Sequence, residues 1–276
     1  MRFRMLGPVR VRNDAGWVSV PAQQQRLVLA VLLVDAGQAV STERLVDAVW
    51  GDRPPRRAVN TVQAYVMRLR RLLGEGVLAT RGRGYELVVR RDDIDAAVFE
   101  RLVSSGRREL SEGRVETGAA RLAKALALWR GPVFADVPAS ASLTCRTAHL
   151  EQVRLAAQED HLAALLNLDR HPQVVDELHR LVEESPLRER RWVLLMAALQ
   201  RCGRRAEALD VFRRARQVLR EELGLDPGRE LRELQRSVLT EDPPPERVIV
   251  QQQPARPAQL PGDVFGLVAH DGPAEF

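Results

Sequence analysis

The chain has 276 residues, 45% of them hydrophobic and 4% aromatic, with a net charge of +5. That length suits one large domain or two small ones, and an apolar set dominated by Leu, Val and Ala favours helices packed on helices. The opening MRFRMLGPVRV lacks the apolar region of a signal peptide, and no apolar run approaches the roughly 18 residues of a membrane span, so a cytoplasmic protein without a membrane partner is expected.

The charge is unevenly placed. Met1 to Arg91 holds 16 Arg against 7 acidic residues, an excess of +9, while the remainder carries 26 basic against 30 acidic residues. Lys124 is the only lysine, a bias that codon usage can produce, but both halves share one genome and differ in sign. A basic module joined to a mildly acidic one suggests nucleic acid for the first and another partner for the second. Cys145 and Cys202 are far apart and form no CxxC; both are expected to be reduced and buried.

In chain order, RFRMLGPVRVR and WVSVP flank the turn NDAG and predict a small strand set. AQQQRLVLAVLLVDAG predicts a helix stopped at Gly37. STERLVDAVWG predicts a second, with Ser41 as N-cap, Glu43 in its first turn and Gly51 at its end. The prolines of DRPPRR make a turn. The rest of the stretch that ends at Gly76 predicts a third helix of about 15 residues, and GVLATRGRGYELVV reads as a β-hairpin. Strands, three helices and a hairpin, in that order, predict a winged helix-turn-helix.

After Asp92 and Asp93 helices dominate. LSEGRVETGAARL, LNLDRHPQVVDEL and LQRCGRRAEALDVF align around Gly113–Arg114, Asp169–Arg170 and Gly203–Arg204, the last two offset by 34 residues, the tetratricopeptide period. Small residues at the crossings (Ala119, Ala208) and bulky ones a turn later (Leu122, Leu178, Phe212) suit stacked helical hairpins. From Pro243 the sequence is rich in Pro and Gln and reads as a flexible tail. The expected fold class is mainly α with a small β component. The expected domains are a winged helix over 1–91, a helical tetratricopeptide-like domain over 92–242, and the tail over 243–276.

The segment from Arg53 to Gly76 concentrates six arginines. On a wheel at 100° per residue, Val59, Val62, Val66, Leu69 and Leu73 form one apolar arc, widened by Tyr65 and Leu72. Opposite stand Asn60, Ala64, Arg68 and Arg71, flanked by Thr61 and Met67. Arg68 has the reach for a bidentate contact with guanine and Asn60 for one with adenine. Thr61 suits a phosphate. Ala64 lets the backbone come close and offers a methyl to thymine. Rim arginines such as Arg70 and Arg71 suit phosphates, which position without reading sequence. In the hairpin tip TRGRGY, Gly82 and Gly84 permit positive φ, and Arg81 and Arg83 project toward a minor groove.

ERLVDAVWG, NTVQAYVMRLRRLL and ATRGRGYEL resemble the OmpR-type winged helix of bacterial response regulators. DIDAAVFERLV, ALALWRGPVFADV and SPLRERRWVLLMAALQRCGRRAEALDVFRRARQVLREELGLDPGRELRELQRSVL resemble the bacterial transcriptional activation domain. In this order they resemble the Streptomyces antibiotic regulatory protein (SARP) family, over about Arg2 to Asp242. The resemblance implies a transcriptional activator of a secondary-metabolite gene cluster. It would bind double-stranded DNA at direct repeats near the −35 element as a head-to-tail dimer. It would recruit RNA polymerase holoenzyme through its sigma factor. Carried over, base contacts fall on Asn60, Thr61, Ala64 and Arg68, phosphate contacts on Trp50, Arg70 and Arg71, and wing contacts on Arg81 and Arg83. Trp50 also suits a core position closing the second helix. RPAQLPGDV resembles the linker that leads into an ATPase domain in larger members. The sequence has no GxxxxGK[ST], which implies a short regulator or a piece of a longer protein.

Two other classes are weaker. An enzyme lacks its motifs: the five histidines form no HExxH, His149 and Glu151 lack a PCxxC, there is no GxSxG, and Cys145 with His149 supplies only two metal ligands. No cofactor or metal is expected. A helical scaffold that binds no DNA leaves the +9 module unexplained.

Overall fold

The computed structural model describes residues 1–14 and 16–240; the expected Pro/Gln-rich tail over 243–276 lies outside them. Strands β1 (Phe3–Arg4), β2 (Arg10–Asn13) and β3 (Gly16–Ser19) form an antiparallel sheet in sequence order. Alternation along β2 buries Val11 against Phe3 and turns Arg12 outward, where it is exposed.

Helices α1 (Gln23–Val34), α2 (Thr42–Trp50) and α3 (Ala58–Leu73) follow, then the hairpin β5 (Leu78–Arg81) and β6 (Gly84–Leu87). The Ser41 side chain caps α2 by accepting from the Arg44 N–H at 3.1 Å, with Glu43 in the first turn, as expected. A further strand, β4 (Ala39–Ser41), not expected from the sequence, pairs antiparallel with β6 and makes the wing a three-stranded sheet of order β4-β6-β5. Three residues offer too little alternation to read as a strand.

Gly82 has a φ of +53° and supplies the left-handed turn residue. Gly84 does something else. Its φ is not positive, but a Cβ there would lie 2.2 Å from the Val40 carbonyl oxygen, so the glycine is needed for β4 to approach β6.

The helical part comprises α4 (Asp95–Ser111), α5 (Val115–Leu126), α6 (Ala141–Leu166), α7 (His171–Glu184), α8 (Glu189–Arg201), α9 (Arg205–Leu223) and α10 (Arg229–Thr240). The repeat appears as three identical turns between paired helices. Gly113, Asp169 and Gly203 take left-handed φ of 81°, 57° and 74°. The next N–H in each case returns five residues: Arg114 to Glu109 O at 2.9 Å, Arg170 to Leu165 O at 3.1 Å, Arg204 to Leu199 O at 2.9 Å. This is the Schellman closure. In this register Gly118, not Ala119, matches Ala208. A Cβ on Gly118 would meet the Leu110 side chain at 2.5 Å, so α4 and α5 cross more closely than an alanine permits. Leu122, Leu178 and Phe212 are buried as expected.

The apolar core does not divide between the winged helix and the helices. One cluster runs from Phe3 through the winged helix to α4, α5 and Leu143, Leu150 and Ala157 of α6. A second gathers Leu162 to Leu166 of α6 with α7 to α10. The 26-residue α6 spans both, a length of about 39 Å. Where one core passes to the other, buried Glu159 and Asp160 meet a cluster of arginines. Glu159 accepts from Arg188 at 2.7 Å, and Asp160 from Arg107 of α4 at 2.7 Å and Arg190 of α8 at 3.2 Å.

The N-terminal sheet is locked to the helices by Asp95, the fully buried first residue of α4. Its carboxylate accepts the N–H groups of Met5 at 2.9 Å and Leu6 at 3.2 Å and pairs with Arg130 at 2.5 Å. The loop after Arg130 adds Phe134 N–H to Met5 O at 3.0 Å, while Asp136 accepts from Val9 N–H at 2.7 Å and Arg10 at 3.1 Å. Burial pushes the Asp95 carboxyl above the ordinary carboxylate range, against the Met5 N–H and the Arg130 guanidinium, which pull it down. The expectation that both cysteines are buried is corrected: Cys145 is exposed in the first turns of α6 and Cys202 is half-buried.

The packing at Gly84 and at Asp95 can be tested by substitution. Gly84→Ala must break the β4–β6 approach and should destabilise the protein by about 1–3 kcal/mol in chemical denaturation. Asp95→Ala strands two buried N–H groups and Arg130 and should cost on the order of 3–5 kcal/mol. Asp95→Asn, which keeps an acceptor, should cost less. Because the folded protein holds the Asp95 proton more tightly than the unfolded chain, its contribution is fully present below the unfolded pKa and falls as pH rises through the folded value. Asp95→Asn should remove that slope from stability measured against pH.

Candidate nucleic-acid interface

The third helix is built by a short apolar stripe. Ala58, Val62, Val66, Leu69 and Leu73 are buried against α1 and α2, and the helix stops at Gly74, whose φ is +85°. Arg70 and Arg71 in its last turn complement the negative end of the helix dipole. Val59 was expected in the stripe but is 47% exposed. On that side of the first turn no described residue covers the helix, and Ala58 takes the buried place.

The opposite face is open. Asn60, Gln63, Ala64, Met67, Arg68 and Arg71 are all exposed. The side chains of Asn60, Arg68 and Arg71 make no hydrogen bond or ion pair among the described residues, nor do those of Arg53 and Arg56 in the preceding turn. Cations held apart on one surface without counter-charges repel one another and favour an external anion. Ala64 sits among them with nothing larger than a methyl.

Of the remaining predicted residues, all but Arg83 have side-chain partners within the module. The Thr61 hydroxyl donates to Arg57 O at 3.1 Å, so it is set to accept from a base, and meeting a phosphate oxygen would require it to give up that bond. Arg70 donates to Leu78 O at 2.9 Å and Thr80 Oγ1 at 2.7 Å. It ties the third helix to β5 while leaving part of its guanidinium at the surface. Arg81 pairs with Glu86 at 2.6 Å along the hairpin. Arg83 is exposed at the tip without a side-chain partner among the described residues. Trp50 is half-buried and stacks on Tyr65 with ring centroids 6.4 Å apart, at the margin of the core.

One residue that sequence reasoning missed is Thr42. Its N–H and hydroxyl both bond the Arg83 carbonyl, at 3.0 and 2.7 Å, and pin the wing tip to the start of α2. Nothing local announces a contact across 41 positions. Together, Thr42 and Arg70 fix the wing to two helices, so the α3 face and Arg83 are presented as one rigid surface.

No cluster of three or more His, Cys, Asp or Glu able to hold a metal occurs among the described residues, and no described helix is long and apolar enough to cross a membrane.

Comparison with known proteins agrees with this geometry. The profile of the transcriptional regulatory protein C-terminal family matches residues 21–87, and that of the bacterial transcriptional activator domain matches residues 94–239. The chain is 35% identical over 254 residues to the regulatory protein DnrI of Streptomyces peucetius, covering 88% of this chain and 93% of DnrI. It is 37% identical to the regulatory protein AfsR of Streptomyces griseus, covering 96% of this chain but only 27% of AfsR. Among solved structures, Mycobacterium tuberculosis EmbR in complex with a low affinity phosphopeptide superposes with a TM-score of 0.84 at 31% identity, over 89% of this chain and 66% of that one. These relatives are named as regulators, not enzymes. With a DNA-binding winged helix followed by a bacterial transcriptional activator domain, the chain belongs to the SARP family of transcriptional activators.

Proposed function

We propose that this activator binds direct repeats near the −35 element of promoters in a secondary-metabolite gene cluster and recruits RNA polymerase holoenzyme through its sigma factor. The observation that carries DNA reading is the outward face of α3, where Asn60, Ala64, Arg68 and Arg71 are exposed and the arginines lack internal counter-ions. In this reading α3 lies in the major groove, with Arg68 and Asn60 on base edges and Thr61 accepting from a base. Arg71, Trp50 and the free part of Arg70 meet phosphates. Arg83, with Arg81 behind it, enters the flanking minor groove, where narrow width concentrates negative potential.

Two protomers in head-to-tail order place their third helices about one turn apart on the same duplex face. The winged helix over 1–91 carries DNA binding, and the helical domain over 92–242 carries the contact with polymerase. The protein works in the bacterial cytoplasm, at the nucleoid. The relatives DnrI and RedD of Streptomyces, the latter 36% identical over 252 residues, support activation as the outcome.

Selection of bound genomic fragments should recover a direct repeat. On that site Arg68→Ala should weaken binding by about 1–3 kcal/mol and relax preference at one base pair. Arg83→Ala should weaken binding with little change at the major-groove positions. Affinity should fall steeply with salt. An unchanged footprint and sequence preference in the Arg68 variant would remove it from the base-reading set.

A further inference from the structure

At the far end of the second core lies a cavity of 520 Å³, between the loop that follows α7 and the last turns of α9. Pro186, Leu187 and Val218 give it an apolar lining, and Glu221 and Glu222 form one rim. Leu187 is 46% exposed, and the chain beyond Glu222 continues into Leu223 and Leu225, which are 48% and 58% exposed. An exposed leucine at the mouth of an apolar cleft offers a contact surface.

The charges around the cavity are unusual for helix ends. α7 finishes on Glu183–Glu184 and α9 on Glu221–Glu222 before Leu223. The dipole makes a helix C-terminus negative, and carboxylates in the last turn are unfavourable there. Both glutamate pairs stand against that rule, and the two helices end on the same cavity.

Of these four carboxylates, neighbouring cations neutralise only Glu184. Arg188 lines the cavity but donates to Glu159 at 2.7 Å and Gln152 at 3.1 Å. Arg216 and Arg220 turn to Asp226, at 3.7 and 2.8 Å. Arg180 pairs with Glu184. Glu221 accepts only an amide hydrogen from Gln217, at 2.9 Å, and Glu183 and Glu222 have no partner among the described residues. The site therefore offers an apolar floor and an uncompensated negative rim, deepened by two helix ends.

We propose that this cleft docks a segment of a partner protein that carries a leucine-sized apolar anchor flanked by arginine or lysine. The apolar side chain fills the cavity over Leu187 and Val218, and the basic groups reach Glu221 and Glu222. The surface is distinct from the α3 face, and the inference does not rest on how DNA is read.

The test uses the full chain and fluorescein-labelled helical peptides with two leucines one turn apart and flanking arginines, followed by fluorescence anisotropy. The basic peptide should bind, and versions with the leucines changed to serine or the arginines to glutamate should not. Glu221→Lys with Glu222→Lys should weaken the basic peptide about tenfold or more and admit the glutamate peptide, and Leu187→Ser should weaken it similarly, with DNA binding unchanged. These positions are exposed, so folding checked by circular dichroism should be intact. No binding up to ~1 mM peptide, a limit near −4 kcal/mol, would overturn the proposal. So would equal binding by the charge-reversed peptide, or binding unaffected by both variants. Conversion of a dimer to a monomer by Leu187→Ser in sedimentation velocity would overturn it in favour of a second copy of this chain as the occupant.

Discussion

The Asp95 carboxylate sets the relation between the two functional halves. It begins α4, yet its bonds go to the backbone of Met5 and Leu6 and to Arg130. A fully buried carboxylate is unfavourable unless its lone pairs are met, and here the partners come from two other segments, Met5–Leu6 and Arg130. The sheet, the first helix of the activator domain and the loop after Arg130 can satisfy it only in one arrangement. The winged helix is therefore held against the helical body, and the core from Phe3 to Ala157 grows across the junction.

A second charged layer does comparable work farther along. Glu159 and Asp160 sit where α6 leaves the first core and enters the second, and arginines of α4 and α8 converge on them. Burial raises the Asp160 carboxyl, and the nearby Arg107 draws it back down. Burial likewise lowers Arg191, which packs fully buried beside Glu159. Such a layer fixes register because a slipped helix would leave a buried charge alone.

The two alternative classes fail for different reasons. A scaffold has no need of exposed, unpartnered arginines on α3, whereas the pairing of Arg81 with Glu86 shows that this module neutralises an arginine where a partner is available. An enzyme needs converging reactive groups. The buried ionisable groups here are instead met by fixed counter-charges, and the regulators that this chain resembles carry no enzyme name.

The amino-acid pattern alone determined the winged helix-turn-helix order, the Ser41 cap, the outward face of α3 and the period of the helical pairs. These rest on local periodicity and capping, which a sequence displays directly. It pointed to Gly203 and Asp169 as matching positions, and both proved to be left-handed turn residues. Only tertiary structure decided the rest. Val59 fits the apolar arc by angle, but burial depends on a neighbour being present. Gly84 resembles a turn glycine, but its need arises from a strand lying 43 to 45 positions earlier. Arg70 and Arg68 are chemically identical, and what separates them is whether β5 stands within reach. Asp95 reads as a first-turn acid, and its role comes from residues some 90 positions away. A residue type fixes what a side chain can bond; the partner that meets it is set by contacts between segments far apart in the chain.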